Sequence, residues 1–114
     1  MARGDYLGEF ELVVLLGLAR LEDEAYGMAI FEEIKRVTGR DLTGPAGYVT
    51  LNRLEKKGYV NSRTGESSGP RGGRARKYYR VTPEGSRALD ASQEMLSRLW
   101  HGVAVGLGTA VSKS

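Results

Sequence analysis

Residues 43–64 read TGPAGYVTLNRLEKKGYVNSRT, and the spacing of the apolar residues changes within this stretch. Gly47, Leu51 and Leu54 recur at four- and three-residue steps, the repeat of a helix with one inward face. Thr43 stands where an N-cap belongs, with Gly44 and Pro45 in the first turn, where proline loses little. The helix is expected to run to Lys57 and stop at Gly58. Beyond Gly58 the period falls to two, as in a strand. Tyr59–Thr64 and Arg76–Thr82 are therefore expected to pair as a hairpin, with Tyr79 and Val81 on one face and Tyr78 and Arg80 on the other. Residues 65–75, rich in glycine, form its tip.

Upstream, Leu7 to Leu21 reads as a helix. Leu7, Phe10, Val14, Leu18 and Leu21 form one stripe, and Leu12, Leu15, Leu16 and Ala19 a second beside it. A helix apolar on so much of its surface is expected at the centre of the fold. A second helix runs from Tyr26–Gly27 to Thr38 with Tyr26, Ile30, Ile34 and Val37 on one face, and Gly39 caps it. Downstream, Thr82-Pro83-Glu84 opens a fourth helix that reaches about Trp100. Three short helices followed by a basic hairpin is the order of a winged helix-turn-helix. The fold class is mainly α with a small β-hairpin, plus a C-terminal dimerisation helix. Residues 1–82 are expected to form the DNA-binding domain, 83–102 the dimerisation helix and 103–114 a flexible tail.

The charge distribution agrees with this order. The 114-residue chain carries a formal net charge of +3, yet the stretch from Arg53 to Arg80 alone carries +7 and the remainder −4. A basic zone on an otherwise acidic chain suits a phosphate-binding face. A major groove roughly 12 Å wide admits one helix, here the third, while the hairpin reaches the adjoining backbone. On the third helix Tyr48, Asn52 and Lys56 share the outward face, with Pro45, Val49 and Arg53 beside them and Thr43 at the entry. Asn pairs bidentately with adenine and Arg with guanine, while Tyr and Lys suit phosphates. Arg71, Arg74, Arg76 and Lys77 on the wing are expected to meet phosphates. Tyr79 and Tyr26 read as core residues, and Tyr78 as the more exposed of the wing pair.

The fourth helix carries Leu89, Ser92, Leu96 and Leu99 at heptad spacing, with Trp100 alongside. With little domain left to cover it, this stripe is expected to pack against a copy of itself. Other classes fit poorly. There is no cysteine, the one histidine, His101, lies in a glycine-rich tail, and no nucleophile–base pair is recognisable, so an enzyme is not expected. No cofactor and no metal site are expected. No signal-peptide layout is present, and the longest apolar run, Leu12–Leu16, is far too short for a membrane span, so the expected location is the cytoplasm. A winged helix serving only protein–protein contacts is the alternative, but it gives no reason to load the wing with arginine.

These residues also resemble a known family. Leu7-Gly8-Glu9-Phe10, Ala25-Tyr26-Gly27, the run from Tyr48 to Gly58 and the run from Gly72 to Gly85 stand in the order and at the spacing of the PadR transcriptional regulators. The resemblance implies a homodimeric repressor that binds a pseudo-palindromic operator in double-stranded DNA, of the compact kind with a single C-terminal helix. Multidrug-sensing members imply a small apolar or aromatic effector, and Trp100 is then a candidate for its pocket, beside the plainer role of an interface anchor. Two positions depart from the pattern. Pro45 stands where a small residue is usual, and Gly47 where Leu or Val is usual. Glycine there is expected to loosen the third helix by about 1 kcal/mol relative to alanine.

Overall fold

The computed structural model describes residues 7–65 and 76–103. Its elements are α1 (Glu9–Leu21), a single 3₁₀ turn (Glu22–Glu24), α2 (Gly27–Thr38), α3 (Pro45–Lys56), β1 (Val60–Thr64), β2 (Lys77–Val81) and α4 (Pro83–Trp100). The order is that of a winged helix-turn-helix followed by one long helix. Arg71 and Arg74, with all of the expected hairpin tip but Gly65, lie outside the described residues, as does the tail from residue 104.

α1 is central, packing against α2, α3, β2 and α4. Val14, Leu15 and Leu18 from α1, Ile30, Phe31 and Ile34 from α2, and Leu51 and Leu54 from α3 form one buried cluster that Val60 and Tyr79 close from the wing. The expectation of a largely buried α1 needs correction at two places. Leu16 and Phe10 are 46% and 39% exposed. Leu16 faces α4, and Phe10 lies under the Arg40 guanidinium, 5.1 Å from its ring centre. Val37 is also exposed, because α2 has by then passed the edge of the core.

The turn between α2 and α3 is built from local hydrogen bonds. Gly39 takes the left-handed conformation (φ 80°) and returns its N–H to the Lys35 carbonyl, ending α2. The Asp41 carboxylate then accepts from both the amide and the hydroxyl of Thr43 at 3.0 and 2.6 Å. These two bonds, the hydroxyl's first, hold the Asp41 carboxyl below the usual range. Thr43 is therefore not the N-cap of α3. That place belongs to Gly44, whose φ of 107° is closed to side chains, with Pro45 at the first helical position. At the other end of the chain the expected cap is present: the Thr82 hydroxyl accepts from the Gly85 amide at 3.0 Å and opens α4.

Gly47 was expected to loosen α3, and the structure reverses that reading. A Cβ at this position would stand 2.4 Å from the Leu42 carbonyl oxygen and 2.6 Å from the Phe31 ring. The glycine is the fit, because α3 meets α2 closer here than any side chain allows.

A half-buried ion pair joins α1 to the end of α3. Glu11 is 6% exposed, and its carboxylate accepts from Lys57 Nζ at 2.7 Å and from the Gly8 amide at 2.9 Å. Burial alone would raise its carboxyl, but the Lys57 and Gly8 hydrogen bonds and the charges of Lys57 and Arg53 outweigh it, and the net shift is downward. A depressed carboxylate stabilises the fold above its unfolded value of 4.5 and loses that contribution as pH falls through the folded value. Glu11→Gln is therefore expected to cost about 1.5–3 kcal/mol at neutral pH and to flatten the acid limb of stability below pH 5. Chemical unfolding across pH 3–7 reads both effects. Parallel acid limbs in the two proteins would show that Glu11 does not carry this dependence.

Candidate nucleic-acid interface

The outer face of α3 is open. Tyr48 and Val49 are 42% and 52% exposed, and Pro45, Asn52, Arg53 and Lys56 are exposed as well. Gly47, Thr50, Leu51 and Leu54 point inward, with the Thr50 hydroxyl tied to the Ala46 carbonyl at 2.9 Å. Tyr48 is held, not free. Its ring meets Phe31 edge-on at 5.1 Å, and its hydroxyl end lies over the first turn of α2, where a Cβ on Gly27 would come within 2.7 Å. Arg53 stands one strip further round, near enough to Glu11 for its charge to act there. Arg53 and Lys56 make no ion pair among the described residues.

The basic zone, uniform in sequence, divides in space. Lys57 is committed to Glu11, Lys77 to Glu55 at 3.4 Å, and Arg80 to Asp23. Glu55 also accepts from the Ser62 hydroxyl at 2.7 Å, which ties α3 to the wing. Arg53, Lys56 and Arg76 make no ion pair among the described residues. About half of the described bases in the zone are thus structural, which counting charges along the chain does not reveal.

The wing is held from below by a contact that periodicity does not show. Ala25 and Tyr26, just ahead of α2, act as a one-residue third strand: Tyr26 bridges Tyr78, and the Tyr79 amide donates to the Ala25 carbonyl at 2.8 Å. Tyr79 is buried as expected and Tyr78 is half-buried. Tyr26 is not a closed core residue. It is half-buried and borders a groove of about 550 Å³ shared with Gly27, Met28, Tyr48, Arg76 and Lys77. Met28, 42% exposed, is a member of this surface that sequence reasoning missed. The signal lies in its neighbour: a glycine at the start of α2 leaves room for a side chain arriving from α3.

On α4 the expected stripe separates in the same way. Leu96, Leu99 and Trp100 are 39%, 67% and 60% exposed, with Met95 and Val103 also open. Leu89 is half-buried against the core. Ser92 is 2% exposed within the single chain, on the inward side with Gly85 and Ala88, and its hydroxyl has no hydrogen-bond partner among the described residues. It therefore packs within its own chain and not on the exposed side of the helix, which corrects its place in the stripe. Leu12 and Leu16 of α1 face Leu89, Leu96 and Trp100 of α4 across an apolar groove of about 530 Å³. No described helix is long and apolar enough to cross a membrane.

Comparison with known proteins agrees with this geometry. Residues 15–91, from the middle of α1 into α4, match the transcriptional regulator PadR-like family. A transcriptional regulator from Clostridium thermocellum is 29% identical, with a TM-score of 0.66 over 79% of this chain and 84% of that one. A PadR family transcription regulator from Clostridium difficile is 26% identical, with a TM-score of 0.59 over 82% and 95%. RosR of H. salinarum is 26% identical, with a TM-score of 0.64 over 86% and 81%. No curated protein matches the chain. The family match spans most of the winged helix and places the chain in the PadR-like family of transcriptional regulators.

Proposed function

We propose that the protein is a cytoplasmic homodimeric repressor that reads a pseudo-palindromic operator through α3 and clamps its backbone with the wing. The observation that carries this reading is the exposed row Tyr48, Asn52 and Lys56 on a helix whose other side is locked into the core. A rigid helix gives its side chains fixed directions, which base discrimination requires. Val49 and Arg53 flank the row, and Thr43 and Pro45 sit at its leading end. Arg71, Arg74 and Arg76 supply phosphate contacts, and Lys77 joins them on release from Glu55. Residues 1–82 form the DNA-binding unit, 83–102 the dimerisation helix and 103–114 a tail. Leu96, Leu99 and the exposed edge of Leu89 pair two chains. The apolar groove between α1 and α4 admits a planar effector against Trp100, whose binding lowers operator affinity.

The test is binding to the duplex upstream of the protein's own gene, measured by anisotropy across a salt series. Specific binding is expected to weaken steeply with salt, as phosphate neutralisation requires. Asn52→Ala is expected to cost about 1–3 kcal/mol for each bidentate base contact and to relax preference at one base pair per half-site. Planar apolar compounds added to the same complex should quench Trp100 and release DNA together. Salt-insensitive binding, or none, would favour a winged helix that contacts proteins instead. Unchanged base preference in Asn52→Ala would move the reading element away from α3.

A further inference from the structure

Four planar side chains are linked in series at the base of the wing. The Arg76 guanidinium lies 4.2 Å over the Tyr26 ring, Tyr26 meets Tyr78 edge-on at 5.7 Å, and the Arg63 guanidinium lies 4.7 Å over Tyr78. The backbone fixes the two rings, since Tyr26 and Tyr78 are bridge partners and the Tyr79–Ala25 hydrogen bond lies beside them. Tyr26 immediately precedes α2, and Tyr78 belongs to β2, so the series spans the joint between the helix-turn-helix and the wing.

The cations along this joint are used differently. Lys77 is held by Glu55 and Arg80 by Asp23, whereas Arg76 is exposed and makes no ion pair among the described residues. Arg76 borders the same groove as Tyr48, whose hydroxyl end reaches that position because Gly27 has no side chain. A guanidinium stacked on a ring keeps its edge N–H groups outward, in the plane that suits bidentate contact with a phosphate. An ammonium has no plane to fix.

We propose that Tyr26 is a positioning residue for DNA binding: its ring orients the Arg76 guanidinium beside Tyr48, and Tyr78 braces it from the wing, so that one backbone phosphate meets a pre-oriented fork. The proposal rests on the reading that this protein binds duplex DNA. It assigns Tyr26 a purpose beyond closing the core, and makes the angle between α2 and the wing part of the phosphate contact. Ordering the side chain before DNA arrives removes an entropic cost from binding.

The test uses the full chain and a labelled duplex of mixed sequence long enough for two half-sites, because a phosphate contact acts on any sequence. Tyr26→Leu is expected to weaken binding by about two- to fivefold per subunit, the worth of one exposed cation–π contact. It should also flatten the salt slope toward that of Arg76→Ala, by at most about one unit per subunit. Tyr26→Phe keeps the ring face and should bind as the parent does. In an Arg76→Ala background, Tyr26→Leu should cost nothing further. Arg76→Lys, which leaves the packing of the tyrosines untouched, should lose affinity although the charge is retained. Equal losses from Tyr26→Leu with and without Arg76 would make Tyr26 a packing residue only and overturn the proposal. So would parent-like binding by Arg76→Lys. If the parent protein itself fails to bind duplex with steep salt dependence, the DNA-binding reading falls first, a result distinct from either.

Discussion

Glu placed at both Leu96 and Leu99 is expected to convert the protein to monomers and to lower operator affinity by about a hundredfold to ten-thousandfold. The size of the effect follows from avidity. A dimer that has bound one half-site presents its second α3 to the other at a high effective concentration, and a monomer loses that gain without losing any contact of its own. The two leucines suit the experiment because both stand exposed on the single chain, at 39% and 67%, near the end of an 18-residue helix. The inward side of α4, made by Gly85, Ala88 and Ser92, is left as it was. Light scattering after size exclusion should fall from twice the chain mass to the chain mass, with helix content by circular dichroism nearly unchanged. Half-site affinity should stay close to that of the parent. A variant that remains dimeric, or a monomer that binds the full operator as tightly as before, would remove α4 from the assembly.

The helices and the wing could be read from sequence because their signals are local. Periodicity placed α1 to α4 within about two residues, and Gly39, Pro45 and Thr82 marked ends that the backbone confirms. Four features were not legible: one turned on a competition between residues two apart, and three depend on residues distant in the chain. The cap of α3 passed to Gly44 because Asp41 captured the Thr43 hydroxyl. The basic zone lost Lys57 and Arg80 to Glu11 and Asp23, which lie far upstream. Ser92 turned inward because heptad spacing does not say which of two faces meets α1. Tyr26 became a platform and not a closed core residue only because the chain before α2 adds itself to the wing as a third strand. Among the α3 residues, Tyr48, Asn52 and Lys56 stand on the expected face, since a helix converts spacing into direction without outside help.

Gly47→Leu is expected to be the most damaging single substitution for stability, and Gly47→Ala separates two explanations of why. Helix propensity alone makes alanine better than glycine by about 1 kcal/mol in the middle of a helix. Packing gives the opposite sign. The first carbon of any side chain would stand 2.4 Å from the Leu42 carbonyl oxygen, which is backbone in the turn that sets α3 against α2. It would also stand 2.6 Å from the ring of Phe31, which is 1% exposed and enclosed by the core. Neither neighbour can move without shifting the helix-turn-helix. Gly47→Ala should therefore destabilise, and Gly47→Leu should reach or exceed the upper end of overpacking costs, about 3 kcal/mol. For a domain of this size that lowers the melting midpoint by roughly 12–24 °C. Phe31→Leu in the Gly47→Ala background should recover only part of the loss, because it frees the ring contact and leaves the Leu42 carbonyl in place. Differential scanning calorimetry of the two single variants and the pair decides the matter. A Gly47→Ala protein as stable as the parent would mean that α3 does not lie this close to the turn. The exposed row that runs from Tyr48 to Lys56 would then be held less firmly than base reading needs.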